Sequence, residues 1–393
     1  MSRAVTADHV LFDECISAFR PNEVKDSAHN FGPNHSYLLT SFQLPIAWNL
    51  PHCTVNPSIT VNLHGPYRSF ICKVKNPERV GTHNSQLYGI ALASIISFVS
   101  GKIIKSTRDD LMWQHEPQGD EIIQLAIHHP ILYTGPGSST TQLTKKTLSK
   151  YEEETIALIT KLHQIPYNKY VIVMQAIRLV HLSLSNKRED FGLAHLLIVS
   201  AIESAAQQAI KITSNKNPKE KEKEKEWKKI VDDKRILSDL LQEYRALRNN
   251  ANKAGNIKKQ YIDFIKTFAP PSTWEGLVPH PWQDHYDTYI ECSPDDEELP
   301  KILEKKHGEI YPSDLTIDEI STLLSDSYTY RSCFVHRGEQ PPHRSPTPFN
   351  HYFETLHEYF TGKPDKLLPS YDLLVSIAQN SIKNWMYTIP NEK

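Results

Sequence analysis

The chain has 393 residues, 39% apolar and 23% charged, which is room for two domains with substantial cores and an ordinary composition for a water-soluble protein. A formal net charge of −2 and a pI near 6.8 exclude a protein coated in positive charge for sequence-blind duplex binding, so any nucleic-acid contact must be local. Five scattered cysteines, Cys15, Cys53, Cys72, Cys292 and Cys333, form no C-x-x-C pair or zinc spacing and read as reduced thiols of a cytoplasmic protein.

Residues 1–20 carry acids and lack the apolar core of a signal peptide. From 31 to 75 the pattern is strand-like: Ile59, Val61 and Leu63 alternate, as do Phe70, Cys72 and Val74, between turn signals at Pro33, Pro45, Pro51, Pro57 and Gly65-Pro66. A buried helix is predicted over 87–101; its apolar stretch is too short to span a bilayer, so no membrane partner is expected. Residues 121–132 read as a further strand, followed by a plain linker at 135–139 that lacks the lysine and glycine spacing of a phosphate-binding loop. His128-His129-Pro130 lacks metalloprotease spacing and no carboxylate cluster suggests another metal site, so neither a metal nor a cofactor is expected.

Beyond Thr140 the periodicity turns helical. Ser149 and Glu152 have capping-box spacing and predict a helix running to Pro166. A second helix carries Tyr170, Val173, Met174, Ile177, Val180, His181 and Leu184 on one face. A third, over 191–212, is apolar nearly all round in its first half, as the central helix of a bundle should be. Glu203 lies inside it, and a carboxylate there needs a cation or hydrogen-bond partner unless it reaches water at the helix rim; Arg331 is the proposed partner. The charged insertion near 215–229 holds seven Lys against four Glu from Lys216 to Lys229, a net +3 that cannot build a core and predicts a solvated loop or frayed helix.

The densest chemical signal is Arg331-Ser332-Cys333-Phe334-Val335-His336. It joins a permanent phosphate-binding cation to a side chain that exchanges a proton near neutral pH. At about 100° and 1.5 Å per residue, side chains five apart on a helix diverge by roughly 140° and roughly 7.5 Å, so a second element must complete any shared site. His336 and Arg337 before Gly338 also describe an ordinary helix end, with cations in the last turn and a left-handed cap. Nearby, Arg337, His343 and Arg344 offer backbone-binding cations, and Tyr328 and Tyr330 are faces for stacking bases or for packing.

The order of several blocks resembles the Apea-like branch of the HEPN family: Val173-Met174-Gln175-Ala176-Ile177-Arg178-Leu179, a polar break at 186–190, Leu193-Ala194-His195 through Glu203, Tyr261-Ile262-Asp263-Phe264-Ile265, Tyr328 through Gly338, and Leu368-Pro369-Ser370-Tyr371. The resemblance covers roughly 146–393. It implies an α+β chain with a strand-rich N-terminal domain over 1–145 and an all-α HEPN bundle over 146–393. It also implies a homodimeric, metal-independent endoribonuclease of a prokaryotic defence or toxin system, with RNA as substrate and an antitoxin or regulatory partner. In this family Arg331 would hold the scissile phosphate and His336 would act as general base or acid, with Ser332, Glu203 and Tyr328 in support. The chain departs in Ser332, where active members often carry Asn, Asp or His; its hydroxyl can still hydrogen-bond a phosphate. A non-catalytic RNA-binding or dimerisation module is the alternative.

Overall fold

The computed structural model describes residues 8–21, 34–62, 68–80, 85–107, 119–128, 143–211, 218–231, 235–278, 309–342, 351–356 and 366–392. After helix α1 (Asp8–Phe19) come five short strands, β1 (His35–Thr40), β2 (Trp48–Leu50), β3 (Cys53–Val55), β4 (Ile59–Asn62) and β5 (Arg68–Lys75). They form an antiparallel sheet in the order β2-β3-β5-β1, closed on the far side by β6 (Ile104–Ser106), with β4 also paired to β5. Alternation sends Leu38, Cys72 and Val74 to the main core, while Tyr37, Leu39 and Ile71 join Val61 and Leu125 on the opposite face. Ile59, at the edge, stays 50% exposed.

Helix α2 (Ser85–Ser100) fills the space between this sheet and the helices that follow. Gly89 makes that possible, because a Cβ there would stand 2.5 Å from Ser106 Oγ and 2.7 Å from Ser36 Cβ. On an exposed helix Gly→Ala stabilises by about 1 kcal/mol, whereas overpacking a core costs about 1–3 kcal/mol. Gly89→Ala is therefore expected to lower the urea midpoint, and a raised midpoint would show that the contact is loose.

Residues 121–132 were expected to continue the strands; instead α3 (Asp120–His128) is a helix, and 129–132 and the linker at 135–139 lie outside the described residues. Ile122 and Leu125 are three apart and pack together on the second face of the sheet, which a strand of that spacing could not arrange. The boundary expected at 145 falls just after residues outside the description.

Helix α4 (Lys145–Gln164) starts four residues before the anticipated capping box. Thr144 is the N-cap, accepting from the Thr147 amide, while the Glu152 carboxylate accepts from the Asn49 amide at 2.9 Å. Pro166 then separates α4 from α5 (Tyr167–Asn186), whose inward Tyr170, Val173, Met174, Ile177 and Val180 are fully buried as the period requires. Asp190 caps α6 (Phe191–Ala209), which ends three residues short of 212 when Ile210 becomes extended. The charged insertion forms a helix, α7 (Pro218–Val231), beside the long α8 (Arg235–Phe268). Thr316 and Glu319 form a capping box at the start of α9 (Ile317–Arg337), and Gly338 closes it in the left-handed conformation, φ 67°, as its sequence predicts. Residues 146–393 were expected to be all-α; instead a hairpin of β7 (Phe353–Leu356) and β8 (Lys366–Pro369) precedes α10 (Tyr371–Thr388).

The architecture is α+β, predominantly helical with a small antiparallel sheet. Central α6 packs on α5, α8, α9 and α10, and one apolar cluster runs from α1 through α2 to α10. Among the described residues no helix is long and apolar enough to cross a membrane. Cys15, Cys53, Cys72 and Cys333 are in no disulfide, and burial pushes Cys53 up to about 11 and Cys72 to about 12, well away from thiolate chemistry at neutral pH.

Candidate functional site

Three side chains fix the rotation of α9. Ser327 is fully buried, Arg331 turns toward α6, and Phe334 seats against Gly192, where an added Cβ would lie 2.6 Å from its ring. The Gln340 side chain also closes over Gly192, so the end of α9 is held onto the start of α6.

Arg331 meets the carboxylate that the sequence marked as needing a partner: its Nη2 lies 3.2 Å from Glu203 Oε2, with the two side chains 22% and 11% exposed. Gln207, one turn beyond Glu203, donates from Nε2 to Oε1 at 3.1 Å. The guanidinium carbon stands 5.9 Å from the centre of the Tyr328 ring. Burial raises the Tyr328 pKa, as does the adjacent Glu203 charge, while Arg331 opposes the rise. Behind it, the buried Tyr261 ring is 5.4 Å from Tyr328, and Ser327 lies 3.4 Å from His195 Nε2. Arg331 Nε is buried without a hydrogen bond, a donor that the ion pair leaves unused and that solvent does not reach.

His336 lies on the exposed last turn of α9, beside Val335, which is 48% exposed. Its step from Phe334 is about 200°, so it faces solvent when Phe334 and Arg331 face the bundle. Arg337, also exposed, donates to Cys333 Sγ at 2.6 Å and pairs with Glu339 at 3.2 Å. Ser332 and Tyr330 are half-buried on the same helix, while His343 and Arg344 lie outside the described residues.

The structure thus gathers Glu203, Tyr328 and Arg331 and leaves His336 apart from them within one chain. Gln207, Tyr261, Ser327 and His195 were not among the anticipated site residues. Gln207 had a signal, since it lies four positions after Glu203 on one helix face; the others come from three different helices and share no sequence spacing. Among the described residues no group of three or more His, Cys, Asp or Glu gathers to hold a metal.

No protein-family model matches the chain, and neither the curated proteins nor the solved structures contain a match to it.

Proposed function

We propose that the chain is a metal-independent endoribonuclease of the HEPN type, acting in a prokaryotic defence or toxin system on RNA substrates. The observation that carries this is Arg331 anchored by Glu203 with its side chain still 22% exposed, on the same helix that presents His336 to solvent. Because the two side chains diverge, the active groove is formed between two copies that meet along the outer half of α9.

In that groove one imidazole takes the proton of the ribose 2′-hydroxyl as its oxygen attacks the adjacent phosphorus. The bond from phosphorus to the 5′-oxygen breaks, and the second copy's imidazolium supplies that oxygen with a proton. The products are a 2′,3′-cyclic phosphate and a 5′-hydroxyl, with no net redox change. The two guanidiniums offset the charge that builds on the phosphorane oxygens. Residues 1–145 would serve as sensor, regulator or substrate guide, and an antitoxin would restrain the activity.

A second reading has its own support: the Glu203 ion pair occupies Arg331 in a way that suits a structural residue of a non-catalytic RNA-binding or dimerisation module. Incubating the full chain with total RNA in EDTA separates the two. The nuclease predicts cleavage that persists under chelation and falls about 10²-fold or more in both Arg331→Ala and His336→Ala, the size expected from losing a positioned proton donor or charge stabiliser. RNA binding without cleavage would instead select the module.

A further inference from the structure

We infer that the α7–α8 hairpin is a self-association element that pairs with the same hairpin of a second copy to form a four-helix bundle. Of the thirteen exposed large hydrophobic side chains among the described residues, five lie here: Trp227 is 40% exposed, Ile230 63%, Leu237 36%, Leu240 55% and Tyr244 42%. Leu237, Leu240 and Tyr244 recur at i, i+3 and i+7, which places them along one side of α8. Trp227 meets Tyr244 edge to face at 5.6 Å, so the α7 and α8 apolar residues form one continuous surface. Of the leucines at 237, 240 and 241, only Leu241 is buried. Two helices alone do not cover this stripe, and contiguous apolar surface of this kind marks an interface.

Charge decides the occupant. Among the exposed described side chains from 222 to 244, Lys223, Lys225, Lys228 and Lys229 are matched by Glu222, Glu226, Asp239 and Glu243. That balance gives no net attraction for a polyanion, although the insertion taken by itself is basic. The excess of each sign falls on a different helix: the four lysines on α7 outnumber Glu222 and Glu226 there by two, and Asp239 and Glu243 stand one turn apart on α8. A two-fold pairing sets α7 of one copy against α8 of the other, so lysines face acids twice while the apolar stripes close on each other. The hairpin's own surface supports this pairing whether or not α9 is catalytic.

The test is the mass of the full-length chain by sedimentation equilibrium across a concentration series. The wild type is expected to dimerise, Ile230→Glu/Leu240→Glu to remain monomeric with an unchanged circular dichroism spectrum, and Lys228→Glu/Lys229→Glu to weaken the dimer at least tenfold. Adding Asp239→Lys/Glu243→Lys to the last variant should restore association, and His336→Ala should dimerise like the wild type, which keeps this test separate from that of the nuclease. A wild type that is monomeric throughout overturns the proposal. So does a dimer insensitive to Ile230→Glu/Leu240→Glu, or a variant that loses binding of a labelled RNA oligonucleotide with no change in mass.

Discussion

Glu203→Ala is expected to destabilise the fold by about 2–3 kcal/mol, read as a lower urea midpoint. Removing one partner of a buried ion pair costs about 3–5 kcal/mol because the remaining charge is left unpaired in low dielectric. The exposures of 22% and 11% at Arg331 and Glu203 admit some water and place this pair below that range. The lost carboxylate also takes away the acceptor of the exposed Gln207 amide, which water can replace, and removes the charge facing Tyr328. The apolar double replacement Glu203→Leu/Arg331→Met should recover most of the loss, since the cost lies in the orphaned charge rather than in missing pair attraction. A Glu203→Ala protein within about 0.5 kcal/mol of wild type, the usual scatter for surface changes, would show that water already satisfies the guanidinium. Glu203→Gln asks the functional question separately. It keeps the shape and one acceptor but drops the charge, so a variant that folds and cleaves normally would remove Glu203 from the proposed mechanism.

That pairing was legible before the structure because burial and charge make opposite demands. An acid that directly follows Leu196-Leu197-Ile198-Val199-Ser200-Ala201-Ile202 on the same helix must find a partner, and the motif offered a cation. The bundle helices were legible for a related reason, since a 3.6-residue apolar period leaves few alternatives over twenty residues. Errors arose where two local signals competed. Thr144 and Ser149 are both acceptable caps, and the choice fell to Thr144 when Glu152 was drawn to the Asn49 amide, a contact 103 positions away in sequence. Residues 121–132 are short and apolar, where periodicity alone separates strand from helix poorly; the vacant second face of the sheet decided for α3. The exposed stripe of α7–α8 was hidden by the charge of the insertion, because Trp227 and Ile230 acquire meaning only beside Leu240 and Tyr244.

Acid should weaken this protein through two histidines kept neutral inside it. His181 holds α5 to the N-terminal elements: Ser94 Oγ lies 3.0 Å from its Nδ1, and the Ile104 carbonyl accepts from Nε2 at 2.7 Å. Burial pushes its pKa from 6.5 down to about 4, chiefly by excluding water from the charged ring, with only the Ile104 bond opposing. His163 is pushed to about 3, first by burial and then by His52, Arg79 and Arg20. Arg79 cannot move away, because it donates to the carbonyls of Ala18, Phe19 and Arg20 at the end of α1. Since both folded values lie below the unfolded one, the unfolded chain binds protons first. Stability is therefore complete above about pH 6.5 and falls as the pH drops toward 4. Between pH 7 and pH 5 each histidine should cost about 2 kcal/mol, at about 1.4 kcal/mol per pH unit below the unfolded pKa. Urea midpoints across that interval should fall steeply in the wild type and by about half as much in His181→Asn, whatever the variant's stability at pH 7. Parallel slopes in the two proteins would mean that His181 already carries its proton in the folded state, with the Ser94 hydroxyl turned to accept it.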